Sequence, residues 1–181
     1  HLAAHGGDKF NYTNLPMASS WDIDKHSAFV HFVINETVHG LQYRDVPKLD
    51  EGMPPLVCDM SSEILSRNIN VSDFGVIYAG AQKNIGPSGA TIVIIREDLL
   101  DRCSDHVPDV WNYKSHVRKQ GMYNTPATYP IYISGLVFRW LQAQGGVAEI
   151  ETINALKAKI LYDAIDNSAG FYVNNVHLDA R

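Results

Sequence analysis

Four short apolar runs limit the folds that are open to this chain of 181 residues. They lie at residues 28–34, 56–58, 76–79 and 91–95. Runs that are apolar at nearly every position are typical of strands covered on both faces, as in a parallel sheet. Helical patterns alternate with these runs and follow them. The sequence therefore predicts an α/β fold with a mainly parallel sheet flanked by helices.

The last third of the chain is predicted to form two long helices. Residues 130–143 are apolar on most faces, which is the pattern of a helix buried in a core or an interface. A second helix with apolar residues at helical spacing is expected from Val147 to about residue 167. Between Cys103 and Tyr129 the pattern is irregular, and no element is predicted there.

Charge and composition exclude several kinds of partner. The formal net charge of −5 provides no basic surface for nucleic acid or for an anionic membrane. No apolar stretch approaches the ~20 residues that a membrane-spanning helix needs. Two cysteines do not make a disulfide framework, and Cys58 lies in an apolar run, as expected of a reduced core residue. We therefore expect a cytoplasmic protein without nucleic-acid or membrane partners.

The segment Y-A-G-A-Q-K-N-I-G-P-S-G, at residues 78–89, holds Lys83 in a loop of small residues between two of the apolar runs. Glycines in such a loop let the backbone and a ligand approach closely. We hypothesise that Lys83 forms a Schiff base with pyridoxal phosphate. The alternative is an ordinary solvated loop lysine.

Three polar sites follow the first three apolar runs. Thr37 comes after the first run, Asp59 after the second, and Gln82 with Lys83 after the third. In open α/β sheets, ligands bind outside the carboxyl ends of the strands. Asp59 would keep the pyridine nitrogen of the cofactor protonated, because an opposite charge favours the ionised form of both groups. Thr37 would donate to its phenolic oxygen, and Gln82 or the loop amides would bind its phosphate.

Each of these residues also has a structural alternative. Asp59 could cap a short helix that begins near Ser61 and extends to Leu65, and Thr37 could be a turn hydroxyl. The eight histidines show no metal-ligand motif, so no metal site is expected. His31, within the first predicted strand, is expected to be a core histidine.

Several motifs together closely resemble the phosphoserine aminotransferase family of class V, fold-type I enzymes. The resemblance covers the chain from about Ala28 onward. Besides the segment 78–89, its motifs are N-E-T-V-H-G at 35–40, C-D-M-S-S-E-I-L-S-R at 58–67, M-Y-N-T-P-A-T-Y at 122–129 and S-G-L-V-F-R-W-L at 134–141.

The resemblance implies a pyridoxal 5'-phosphate enzyme that acts as a homodimer with active sites at the subunit interface. It implies amino transfer from L-glutamate to 3-phosphohydroxypyruvate, in serine and pyridoxine biosynthesis. Lys83 matches the family's Schiff-base lysine, and Asp59 matches the carboxylate at the pyridine nitrogen. Thr37 and Gln82 match a cofactor-binding threonine and a phosphate-contacting glutamine.

The resemblance also assigns Asn124 and Thr125, which spacing alone does not. They match a pair that reaches the cofactor phosphate of the neighbouring subunit.

Other parts of the family pattern are not found in this sequence. The family's glycine-rich phosphate segment and stacking aromatic residue lie upstream of His1, and its substrate-binding arginines lie partly near its N-terminus and partly in a C-terminal small domain. The resemblance thus implies that residues 1–181 are part of the large cofactor domain, which we expect to be inactive alone and to bind the cofactor weakly or not at all. The alternatives are another class V aminotransferase, such as an alanine–glyoxylate type, and a non-catalytic domain that kept the fold.

Overall fold

The computed structural model describes residues 1–8, 11–104 and 106–181. In chain order its strands are β1 (Gly7–Asp8), β2 (Asn11–Tyr12), β3 (Val30–Val33), β4 (Asn35–Glu36), β5 (Leu41–Gln42), β6 (Leu56–Asp59), β7 (Val76–Gly80) and β8 (Thr91–Ile95). Its α-helices are α1 (Tyr113–Arg118), α2 (Thr128–Ala143) and α3 (Val147–Asp166). Short 3-10 helices lie at Ala18–Ser20, Val71–Asp73, Glu97–Arg102, Asp109–Trp111 and Leu178–Ala180.

The main sheet has four strands in the order β3-β6-β7-β8. β6 pairs in parallel with both β3 and β7, whereas β8 runs antiparallel to β7. The prediction of an α/β fold with a mainly parallel sheet is confirmed. β8 is the exception because only residues 81–90 connect it to β7, and a short loop returns the chain in the opposite direction.

One face of this sheet forms the core. Alternate side chains along β3, β6 and β7 are buried there, namely Val30, Phe32, Leu56, Cys58, Ile77 and Ala79. The rings of Trp21, Tyr43 and Phe74 surround Phe32, with centroids 6.1, 5.7 and 6.4 Å away. Such close packing of large apolar side chains supplies most of the stabilisation of a small domain.

The other face of the sheet is largely uncovered among the described residues. His31, Val33 and Val93 are exposed there, and Asp59 and Tyr78 are half-buried. The expectation that the strands are covered on both faces is therefore wrong for this part of the chain. His31 is likewise not a core histidine, because residues at odd positions of β3 point away from the core.

The two long helices form where they are predicted, but α2 is not buried. Leu141 is its only buried large apolar side chain. Tyr129, Tyr132 and Trp140 are 68, 60 and 55% exposed. Exposed aromatic side chains of this kind are typical of an interface, which is the second possibility that the sequence leaves open. In the described part of the chain, no helix has both the length and the apolarity that a membrane crossing requires.

Two local predictions differ from the structure. Residues 61–65 form turns rather than a short helix, because Leu65 adopts a left-handed conformation (φ 66°) that stops helical propagation. The irregular region after Cys103 contains α1, whose first turn is capped by Asn112. The Asn112 side chain accepts a hydrogen bond from the Lys114 amide at 2.9 Å. Asparagine is a common N-cap residue, so Asn112 was the sequence signal from which α1 could have been predicted.

Candidate active site

Asp59 is the last residue of β6 and lies beside Val33 of β3 and Tyr78 of β7 in the register of the sheet. Its Oδ1 atom accepts a hydrogen bond from the Ser61 amide at 2.8 Å. No helix follows, so the helix-capping alternative is wrong as stated. Asp59 instead orders the turn after the strand and remains half-buried at the carboxyl edge of the sheet.

The loop that carries Lys83 begins where β7 ends. The amides of Ile85 and Gly86 both donate to the Ala81 carbonyl, at 3.2 and 2.8 Å, and close one compact turn. Ala81 and Ile85 are buried, whereas Gln82 and Lys83 lie on the outer side of the turn. Within the described residues, Lys83 forms no side-chain hydrogen bond or ion pair, so its amine is accessible.

A hydrogen bond joins the carboxyl ends of β6 and β7. Ser61 Oγ accepts from the Gly80 amide at 3.1 Å. Ser61 is two residues after Asp59, and Gly80 is two residues before Gln82. The structure therefore brings the predicted carboxylate and the Gln82–Lys83 pair to neighbouring strand ends at one edge of the sheet, as the parallel pairing requires.

The glycines of the loop allow two close approaches. A Cβ atom at Gly80 would lie 2.4 Å from Gln82 Oε1, so the Gln82 side chain folds back over the strand end. A Cβ atom at Gly86 would lie 2.9 Å from Ser134 Oγ of α2. The small residue at position 86 is thus required for the packing of α2 against the loop.

Thr37 lies in the exposed turn of the hairpin that β4 and β5 form, an element that the sequence did not predict. The Glu36 carboxylate accepts from the amides of Val38 and His39, at 2.9 and 2.8 Å, and from His39 Nδ1 at 2.9 Å. Burial tends to raise the pKa of Glu36, but the hydrogen bonds from His39 and Val38 outweigh it and lower this pKa below its ordinary value. Among the described residues, no side-chain hydrogen bond joins Thr37 to the other candidates.

A buried polar network connects this hairpin to the turn after Asp59. The Glu63 carboxylate is 1% exposed and forms an ion pair with Arg67. It also accepts from Asn35 Nδ2 at 3.3 Å and Gln42 Nε2 at 2.7 Å. Arg67 donates to the Tyr43 carbonyl at 2.6 Å. Sequence reasoning missed this network, and the i, i+4 spacing of Glu63 and Arg67 was its available signal.

Asn124 and Thr125 lie in the exposed segment between α1 and α2. Asn124 Nδ2 donates to the Thr125 carbonyl at 3.1 Å. In the part of the chain that the structure describes, no hydrogen bond links this pair to Asp59 or Lys83. The structure thus does not unite them with the residues at the sheet edge. Across the same described ranges, no three His, Cys, Asp or Glu side chains gather as metal ligands would.

The edge of the parallel sheet thus carries a carboxylate and an accessible lysine at neighbouring strand ends. The chain belongs to the aminotransferase class-V family, whose model matches residues 10–181. In particular, it is similar to several phosphoserine aminotransferases. The phosphoserine aminotransferase of Neisseria gonorrhoeae is 67% identical over 180 residues, which make up 99% of this chain and 49% of that protein. The chain spans about half the length of the curated relatives it matches.

Solved structures give the same similarity. The phosphoserine aminotransferase of Bacillus circulans subsp. alkalophilus superposes with a TM-score of 0.90 at 43% identity, over 94% of this chain and 47% of that chain. The pyridoxal-phosphate-bound phosphoserine aminotransferase of Trichomonas vaginalis superposes with a TM-score of 0.85 at 37% identity, over 92% of this chain and 45% of that chain. The fold of the described residues is therefore that of about half of a phosphoserine aminotransferase chain.

Proposed function

We propose that the whole protein is a phosphoserine aminotransferase, which transfers the amino group of L-glutamate to 3-phosphohydroxypyruvate and releases O-phospho-L-serine and 2-oxoglutarate. One observation carries the proposal. The Asp59 carboxylate and the Lys83 loop leave adjacent parallel strands at the same edge of the sheet, in a chain that is 67% identical to such an enzyme. The relatives' names specify phosphoserine, and the family resemblance implies L-glutamate and 3-phosphohydroxypyruvate as the substrate pair.

The donor set at this edge fits pyridoxal 5'-phosphate. Asp59 is a half-buried carboxylate of the kind that suits a protonated ring nitrogen, and Lys83 presents an accessible amine for covalent attachment. Thr37 adds an exposed hydroxyl on the neighbouring hairpin. When bound, the cofactor supplies an electron-withdrawing ring that stabilises negative charge at the amino-acid Cα.

Each candidate residue of this chain would have a separate role in binding the cofactor or in proton transfer. Asp59 would hold the proton on the ring nitrogen through its charge. Thr37 Oγ1 would donate a hydrogen bond to the phenolic oxygen, and Gln82 or the loop amides would bind the phosphate. Lys83 Nζ would hold the cofactor and, once released, accept the proton from the substrate Cα, for which its amine must be neutral.

We also propose a homodimer with active sites at the subunit interface. In such a dimer Asn124 and Thr125 would contribute to the cofactor-phosphate site of the partner subunit. Two features support this assembly. Both residues are exposed, and α2, which follows them, carries exposed aromatic side chains such as Tyr132 and Trp140. Aromatic residues are enriched at protein interfaces.

The remaining proposals concern domain and location. Because the chain spans about half of its relatives, we propose that residues 1–181 belong to the large, cofactor-binding domain. We propose a cytoplasmic location on the basis of the free thiols of Cys58 and Cys103, which a reducing compartment maintains.

The experiment is an assay of the whole protein with glutamate and 3-phosphohydroxypyruvate, in which formation of 2-oxoglutarate is measured. Activity is expected in the wild type and in the control variant Lys25→Ala. Lys25 is also an exposed lysine, and it lies far from the Lys83 loop in sequence. Activity is expected to be lost in Lys83→Ala. Activity with alanine and glyoxylate, but not with the first pair, would overturn the substrate assignment.

A further inference from the structure

His31 of β3 and Tyr78 of β7 form a hydrogen bond across β6, on the face of the sheet opposite the core. The distance between His31 Nε2 and Tyr78 Oη is 2.9 Å. The two rings are stacked, with centroids 6.0 Å apart and an interplanar angle of 18°. In the register, His31 lies beside Val57 and Tyr78 lies beside Asp59. The pair therefore runs diagonally over β6 and ends at the candidate carboxylate.

The Tyr78 side chain also lies next to Asp59. The two residues are register partners in a parallel pair, so their side chains point to the same face. Burial, the negative charge of Asp59 and a side-chain hydrogen bond with Asp59 all raise the pKa of Tyr78, and the phenol therefore keeps its proton. Since an ionised carboxylate only accepts hydrogen bonds, a Tyr78 Oη that donates to Asp59 would accept from Nε2–H of His31.

We propose that Tyr78 and His31 are positioning residues that fix the orientation of the Asp59 carboxylate, an inference that rests on the proposed cofactor role of Asp59. The Ser61 amide holds Oδ1 from the turn that follows β6. Tyr78 holds the carboxylate from the adjacent strand, and His31 orients the Tyr78 hydroxyl. Contacts from two sides stop the carboxylate from rotating, so that it faces the ring nitrogen of the cofactor in one direction.

The test uses the whole protein loaded with pyridoxal 5'-phosphate. Tyr78→Phe keeps the ring on His31 but removes the hydroxyl. We expect kcat to fall by about tenfold or more, as for loss of a hydrogen bond to a charged group, with the KM for glutamate nearly unchanged and the visible absorbance band of the bound cofactor shifted. The glutamine of His31→Gln can still donate to Oη, so this variant should retain most of kcat. The kcat of His31→Leu should fall as far as that of Tyr78→Phe.

Tyr43→Phe is the matched control. Tyr43 lies against the buried face of the sheet and donates to the Pro16 carbonyl at 3.3 Å, so its loss removes a hydroxyl without contact to Asp59. It should leave kcat and the absorbance band unchanged. The proposal is overturned if Tyr78→Phe matches the wild type in both readouts, or if Tyr43→Phe changes them as much as Tyr78→Phe does.

A measurement on the cofactor-free protein separates this inference from the proposed function. The ¹⁵N shifts of His31 should show a proton on Nε2 in the wild type and a change in Tyr78→Phe. A His31 ring protonated at Nδ1 alone would overturn the proposed direction of the hydrogen bonds from His31 through Tyr78 to Asp59. If the proposed function fails, the wild type itself will show neither bound-cofactor absorbance nor transamination, whatever the state of His31.

Discussion

Ser61 Oγ and the Gly80 amide form a hydrogen bond of 3.1 Å, and this bond ties the turn after β6 to the last residue of β7. It is one of the contacts that hold the Asp59 strand end and the Lys83 loop in one arrangement, together with the hydrogen bond from Asn84 Nδ2 to the Ile64 carbonyl at 3.0 Å. Both candidate cofactor residues therefore depend on Ser61, whose amide also donates to Asp59 Oδ1.

Ser61→Ala is expected to weaken this arrangement. The substitution leaves the half-buried Gly80 amide without its partner, which destabilises the fold by about 1–2 kcal/mol. It should also reduce the affinity for pyridoxal 5'-phosphate, measured by fluorescence titration of the whole protein. Ser72→Ala, at an exposed position of the 3-10 helix Val71–Asp73, is the control. Equal affinities in the two variants would contradict the prediction.

Arg67→Met is expected to destabilise the protein strongly. It removes the cationic partner of Glu63, whose carboxylate is 1% exposed, and leaves a charge buried. Breaking a buried pair on one side costs about 3–5 kcal/mol, whereas replacing both partners by apolar residues is often close to neutral. The double variant Glu63→Met/Arg67→Met should therefore unfold at a higher denaturant concentration than Arg67→Met alone. The reverse order would mean that the ion pair is not the main interaction of this network.

Gly86→Ala should disturb the contact between the Lys83 loop and α2. The added Cβ atom would lie 2.9 Å from Ser134 Oγ, and such overpacking costs about 1–3 kcal/mol. Because Ser134→Ala removes that oxygen, Gly86→Ala should cost less in the Ser134→Ala background. Thermal unfolding of the four proteins of this cycle measures the coupling. Gly135→Ala is the control, since a Cβ atom there meets nothing within 4 Å.

The turn that holds Thr37 should loosen in acid. Hydrogen bonds from His39 and Val38 give Glu36 a folded-state pKa below its ordinary value, although burial opposes them. Its contribution to stability is therefore fully present above the ordinary value of ~4.3 and is lost as the pH falls through the lower folded-state pKa. Hydrogen exchange at the Val38 and His39 amides should become faster in that range. Glu36→Gln should remove this pH dependence, and Glu51→Gln, at an exposed position, should not.

The strands were predictable because apolar runs of this kind reflect local composition. The third and fourth runs correspond closely to β7 and β8. The hairpin of β4 and β5 was not predictable in the same way, because its two-residue strands are too short for a periodic signal. The failed helix after Asp59 has a local cause. Leu65 adopts a left-handed conformation, which opposes the helical preference of the segment.

The candidate site, like the fold, was only partly predictable from the sequence. That Asp59 and Lys83 each follow the carboxyl end of a strand was expected from the sequence, whereas the adjacency of the two strands is set by the pairing of β6 with β7. The i, i+4 spacing of Glu63 and Arg67 was the sequence signal for their ion pair. The contacts of Glu63 to Asn35 and Gln42 depend on how the hairpin folds back against the turn.

By itself, the order of residue types determined the four strands of the main sheet and the two long helices, and that a lysine and a carboxylate follow two of the strands. Only the tertiary structure decided which face of the sheet is covered, and it moved His31 from an expected core position to the open face. It also brought His31 and Tyr78, 47 residues apart in the chain, to within hydrogen-bonding distance. The physical reason is that strand order and register come from long-range pairing, whereas composition and periodicity report only on local structure.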